Sequence, residues 1–322
     1  MNSEIRETVR SVAQRLRSRL LAIDPASPTA HDAVFAAADE LLAGLASLDL
    51  VGEVNRLPSS EIWNITGDIL DLGRLQHRAR FKPRGYAGDF EMLAQICDFW
   101  TTDHPLGKLF DEYFQAQAAP QSVRNRTAVV ADAIFTEISA RRTPLKVVSV
   151  GSGPARDVFS AAERLSLAER KRLLVTLLDL DPDALTAAKK SLSARLSSHQ
   201  VTAIRVNLAR LPGRPQDAAH LSGADMIFCT GFFDYLSAVD AARMLRLFFE
   251  RLSTGGRILV FNFSPANPTR PYMEWIGNWY LTYRTAPEMA AVAENAGIPA
   301  GDFKIAEDAS GVSVYLDIRK SA

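Results

Sequence analysis

The chain has 322 residues, 47% of them apolar, and its 37 basic and 37 acidic side chains leave no net charge. That length makes one large or two ordinary domains with a real core. The charge balance argues against a nucleic-acid binder, which needs clustered excess Lys and Arg. No run approaches a membrane span, and the start MNSEIRETVR lacks the apolar centre of a secretion signal, so no membrane insertion and a cytoplasmic location are expected. Cys97 and Cys229 sit in apolar periodic stretches without metal-ligand spacing. They read as reduced core thiols, and no metal is expected.

Ile5, Val9, Val12, Leu16 and Leu20 recur at helical spacing, as do Val34, Phe35, Ala38, Leu41, Leu42 and Leu45 beyond the break at DPASP. A third helix is predicted over 60–80, two short ones over 89–100 and 105–118, and a long one over 121–142. No linker or repeat interrupts this series. Residues 1–130 are therefore expected to form a helical lid or substrate domain, and residues 131–322 a second, catalytic domain.

That second part opens on VVSVGSGPARD (147–157), followed by LLVTLLDLDPDAL. An apolar strand, a glycine turn, a helix, another strand and a carboxylate make half of a nucleotide-binding unit. Glycine lets the backbone pass beneath a ligand, and a strand-end carboxylate accepts hydrogen bonds from ribose hydroxyls. Gly151, Ser152, Gly153, Asp157, Asp179 and Leu180 are thus candidate contacts to an adenosine-containing cofactor. A dinucleotide fingerprint wants a third glycine where Arg156 stands, whereas Pro154 completes a G-x-G-P pattern. Further strands are expected over 201–206, 224–230 and 257–263, then a closing pair over 302–308 and 312–318. Helices are expected over 237–253 and 285–298.

This order, the G-x-G-P turn and the run ERLSTGGRILVFNF resemble the class I S-adenosylmethionine-dependent methyltransferases, over residues 130–322. The resemblance implies an α/β fold with a doubly wound, seven-stranded Rossmann-like sheet and an N-terminal helical lid. It implies S-adenosylmethionine as cofactor and S-adenosylhomocysteine as product. Asn207 and Leu208 would then face the adenine, and Thr230 and Gly231 would lie under the methionine portion. Ser149 stands where many members carry an acid. Asp157 either replaces that acid or is a first-turn helix carboxylate.

The block RFKPRGYAGDFEML (80–93) breaks helical periodicity with Pro83, Gly85 and Gly88 and is dense in polar groups. With the later MEWIGNWYLTYRTAPEM, it resembles bacterial methyltransferases that esterify 3-hydroxy fatty acids, the 3-hydroxypalmitate methyl ester synthases. The resemblance implies a small-molecule acceptor, with the carboxylate of a hydroxy fatty acid as the specific case. A carboxylate, with pKa about 4, needs no base, only a clamp and an apolar pocket. Arg84, Arg270 and Arg284 are clamp candidates. Tyr86, Tyr235, Tyr272, Trp275, Trp279, Tyr280 and Tyr283 are candidates for the acceptor pocket. Tyr86, Asp89 and Arg284 form the candidate catalytic set. An O- or N-methyltransferase tailoring an aromatic or peptidic natural product would instead need a base such as His104, Asp234 or Glu274. A non-catalytic S-adenosylmethionine-binding regulator is the reading of another class, motivated by Ser149. Homodimerisation stays open.

Overall fold

The computed structural model describes residues 3–321. Helices α1 (Ser3–Leu21), α2 (Ala30–Ala46), α3 (Arg56–Leu70), α4 (Arg74–Phe81), α5 (Phe90–Cys97), α6 (Pro105–Gln115) and α7 (Ala118–Ser139) precede the first strand. The strands are β1 (Leu145–Val150), β2 (Leu173–Asp179), β3 (Val201–Arg205), β4 (Ala224–Cys229), β5 (Leu252–Phe263), β6 (Phe303–Glu307) and β7 (Ser313–Arg319). Among them run α8 (Arg156–Arg164), α9 (Leu167–Arg170), α10 (Pro182–Leu192), α11 (Pro215–Ala218), α12 (Ala238–Arg251), α13 (Arg270–Trp275) and α14 (Ala286–Asn295). The chain divides into two compact units. One runs up to Gln121 and takes back Pro268–Leu281; the other holds Ser122–Asn267 and everything from Thr282 onward.

In the helical unit, α1 buries Val9, Val12, Ala13, Leu16 and Leu20, the apolar stripe its spacing predicts. The single helix expected over 60–80 is broken in two at residues 71–73. At the break the Leu72 carbonyl oxygen comes so close to residue 107 that a Cβ there would stand 2.1 Å from it, room that only glycine leaves. Asp111 then accepts from the Leu75 amide (2.8 Å) as α4 restarts. The division differs from the expected 130/131 boundary, since it falls at 121/122 inside α7 and assigns 268–281 to the helical unit. Side-chain chemistry explains the return of 268–281. The Tyr272 ring packs 5.3 Å from Tyr113 and 5.7 Å from Phe114. Trp63 Nε1 donates to the Ile276 carbonyl (3.0 Å).

In the other unit, the strands form one seven-stranded sheet in the order β3-β2-β1-β4-β5-β7-β6. Pairing is parallel from β3 through β5, and β7 runs antiparallel to β5 and β6. This is the doubly wound α/β architecture expected from the sequence. Helices cover both faces, so the central strands are buried on both sides and read as nearly continuous apolar runs. Val148, Val150, Ile227, Cys229 and Phe248 pack on one face. Val147, Leu177, Met226, Phe228 and Ile134 pack on the other. Both cysteines are free, and burial pushes the Cys229 thiol up to about 12. β5 begins earlier than expected, at Leu252, with an irregular register between Ala224 and Met226. Among the described residues, no helix is long and apolar enough to cross a membrane.

Candidate functional site

The strand order reverses between β1 and β4, and ligands of open α/β sheets bind at such a switch point, beyond the carboxyl ends of the strands. There β1 runs into the glycine turn. The Gly151 and Ser152 amides both donate to the Leu178 carbonyl, at 2.8 and 3.1 Å. Gly151, Gly153 and Ala155 have φ of 68°, 47° and 52°, all left-handed. A Cβ on Gly151 would make only ordinary contacts, 3.5 Å to Leu208 and 3.7 Å to Phe232. Backbone conformation rather than crowding therefore calls for glycine there.

Asp179 ties this turn to β2. The Gly153 amide donates to its Oδ2 (2.8 Å) and the Asp181 amide to its Oδ1 (2.9 Å). Each oxygen retains further acceptor capacity. Burial raises the Asp179 carboxyl above its ordinary range, with the two amides pulling the other way. Beside it, the Ser152 hydroxyl is buried without a hydrogen-bond partner. Asp157, in the first turn of α8, pairs with no cation among the described residues, and burial lifts it to about 7 against the amides of Val158 and its own backbone. An orphaned hydroxyl and an unpaired buried carboxyl are groups that a polar ligand completes.

Asn207 and Leu208 follow β3 on the same edge, and Thr230 and Gly231 follow β4. Leu180 is half exposed, with 50% of its surface open. The loop after β4 is fixed by two buried guanidiniums. Arg126 on α7 donates to the Thr230 carbonyl (2.5 Å), Asp234 Oδ2 (2.8 Å) and Ser313 Oγ (2.6 Å). Arg284 donates to the Phe233 and Leu236 carbonyls (2.9 and 2.5 Å) and to Asn262 Oδ1 (2.5 Å). Sequence reading missed Arg126 and Asn262. Their signal was a charge in an apolar-periodic helix and an amide inside the apolar run of β5.

Arg284, expected to be catalytic, is thus a staple for backbone carbonyls. Asp234 is no free base, since Arg126 and the Phe263 amide (2.6 Å) occupy both its oxygens. Tyr235 is 42% exposed and Tyr283 half-buried.

In the helical unit, most of the expected catalytic and acceptor groups satisfy one another. Asp89 caps α5, accepting from the Met92 amide (2.9 Å), and pairs in the interior with Arg78 Nε (2.8 Å). Arg84 pairs with Glu91 (2.6 Å) and lies over the Phe90 ring. Tyr86 is half-buried in the turn between α4 and α5. Glu274 is buried and accepts from Gly52 N (2.7 Å), Asn55 Nδ2 (2.8 Å) and Arg270 Nε (2.7 Å), which removes both Arg270 and Glu274 from their expected roles. His104 caps α6, accepting from the Gly107 amide. Tyr272 donates to Gln76 and, with Trp275 and Trp279, is a core residue rather than an exposed pocket wall.

No protein-family model and no curated protein matches this chain in sequence. Its fold is found in solved structures. A Bordetella parapertussis protein described as a possible exported protein superposes over 100% of both chains, with a TM-score of 0.59 at 17% identity. The CurJ carbon methyltransferase superposes over 99% of this chain and 93% of its own, with a TM-score of 0.54 at 11% identity. At such identities the likeness establishes a fold shared with methyltransferases.

Proposed function

We propose that the protein is an S-adenosylmethionine-dependent methyltransferase acting on a small molecule. The observation that carries this reading is the Gly153–Asp179 hydrogen bond at the switch point, with the unpaired Asp157 and Ser152 side chains beside it. Asp179 has acceptor capacity for the ribose hydroxyls, and Asp157 suits the amino group of the methionine portion. Asn207 and Leu208 stand on the adenine side, and Thr230 and Gly231 on the methionine side. The cofactor supplies a methyl group on a sulfonium. The chain supplies alignment and exclusion of water, and positioning of two reactants can account for roughly 7–11 kcal/mol of a barrier. The Arg126 and Arg284 staples serve that end by holding the loop after β4 rigid.

The candidate bases His104, Asp234 and Glu274 are all engaged, which favours an acceptor already ionised at neutral pH. A carboxylate is such an acceptor, with pKa about 4. The carboxylate of a hydroxy fatty acid remains the specific proposal, clamped by groups other than Arg84, Arg270 and Arg284. A cytoplasmic location belongs to the same proposal. The test is calorimetric titration of the purified protein with S-adenosylmethionine and S-adenosylhomocysteine, with NAD as control, followed by a panel of acceptors. Micromolar binding of both adenosyl ligands and turnover with a carboxylic acid are expected. A folded protein that binds neither adenosyl ligand would sink the cofactor reading. Binding without turnover of any acceptor would favour a regulator.

A further inference from the structure

Next to Leu208, residues 209–214 beyond β3 and 236–244 around the start of α12 border an open cavity of about 590 Å³. It shares no lining residue with the candidate cofactor contacts. Its size falls within the roughly 300–1,000 Å³ typical of sites for small organic ligands, and its concavity favours such a ligand over a macromolecule. Arg210, Arg214 and Arg243 line it, with Pro212 and the nearly buried Leu236 and Met244 as its apolar lining. These guanidiniums are weakly committed. Arg214 and Arg243 reach their nearest carboxylates, Asp217 and Asp240, only at 3.9 and 3.8 Å. Arg210 forms no ion pair among the described residues. The one acid on the lining, Asp240, accepts from the Ser237 hydroxyl (2.7 Å). In a chain of zero net charge, three arginines facing one carboxylate make a strong local excess. The wall is also preformed, because Arg284 grips the Leu236 carbonyl and Ser237 caps α12.

We propose that this cavity is a second binding site, for an amphiphilic anion. A carboxylate or phosphate headgroup sits among Arg210, Arg214 and Arg243, since guanidinium pairs with both groups bidentately. An apolar chain lies along Pro212, Leu236 and Met244. The site requires no cofactor, so its test stands apart from that of the methyltransferase reading. Calorimetric titrations of the full chain would use dodecanoate, dodecyl phosphate, a neutral dodecyl maltoside and inorganic phosphate, all below micellar concentrations.

The two anionic amphiphiles are expected to bind at micromolar concentration, and the neutral detergent and free phosphate at least tenfold more weakly. The better of the two headgroups identifies the ligand as a carboxylate or a phosphate. The double substitution Arg210→Glu, Arg243→Glu lies on exposed side chains and should weaken the anionic amphiphiles at least tenfold. In a spectrum of ¹³C-methyl methionine, the Met244 signal, assigned by Met244→Leu, should shift on binding. Equal binding by wild type and the double variant would overturn the proposal. So would free phosphate binding as tightly as dodecyl phosphate, or a Met244 signal that stays in place at saturation.

Discussion

The glycine turn at 151–157 and the polar segment at 80–93 look equally functional as sequence, yet their polar groups end in opposite conditions. In 80–93 the charges find opposite charges: Asp89 meets Arg78 and its own helix, with only its Oδ2 left without a hydrogen bond, and Arg84 meets Glu91. At the turn, the backbone is held left-handed, Asp179 is only partly used, Asp157 accepts from the Val158 amide (2.7 Å) but meets no cation among the described residues, and the Ser152 hydroxyl has no hydrogen-bond partner. Density of polar residues therefore does not mark a site. A buried carboxyl that the fold leaves without a cation does.

That contrast breaks if the two regions respond alike to substitution. The largest effect expected is on stability, from Asp89→Ala. It removes the α5 cap and one of the two carboxylates that hold the buried Arg78, the other being Glu91 (2.7 Å), and these losses together cost about 2–4 kcal/mol. Urea unfolding should show this loss, while the folded protein keeps its affinity for S-adenosylhomocysteine within about twofold. Asp179→Ala should do the reverse. Losing charge-assisted hydrogen bonds of about 1.5–3 kcal/mol each should weaken S-adenosylmethionine roughly 100-fold by calorimetry. An Asp179→Ala protein that binds normally, or an Asp89→Ala protein of normal stability, would erase the distinction.

Asp157 gives a pH signature. Its folded pKa, about 7, lies above the ordinary carboxylate value because of burial. The stability it contributes is complete below that ordinary range and is lost as pH rises through about 7, so the ligand-free protein should weaken from pH 4 to pH 7. A ligand ammonium favours the ionised form, so S-adenosylhomocysteine affinity should rise roughly tenfold between pH 6 and 8. Asp157→Asn should flatten both slopes; an unchanged affinity profile in that variant would detach Asp157 from the ligand. The smallest effect is expected from Tyr86→Phe, within about 0.5 kcal/mol of stability and about twofold in turnover. A tenfold drop in turnover at unchanged stability would return Tyr86 to the chemistry.

Much of the fold was legible because it is written in local patterns. The strand runs, the helical stripe of α1, the glycine turn and the carboxylate at Asp179 each depend on residues a few positions apart. From these the α/β class and the sheet follow, since a parallel strand and its crossover helix carry their own periodicities. What the sequence could not decide was which polar groups find one another across the chain. Asn55 and Glu274, or Arg126 and Ser313, meet only once distant segments pack, at 2.8 and 2.6 Å. No local rule records such partners, because a buried charge is stabilised by whichever opposite group the tertiary structure brings within reach. The close passage of the Leu72 carbonyl against Gly107, at the break between α3 and α4, likewise joins residues of separate helices. Period and turn chemistry therefore set this protein's architecture, and packing alone decided which of its charged residues are structure and which remain for a ligand.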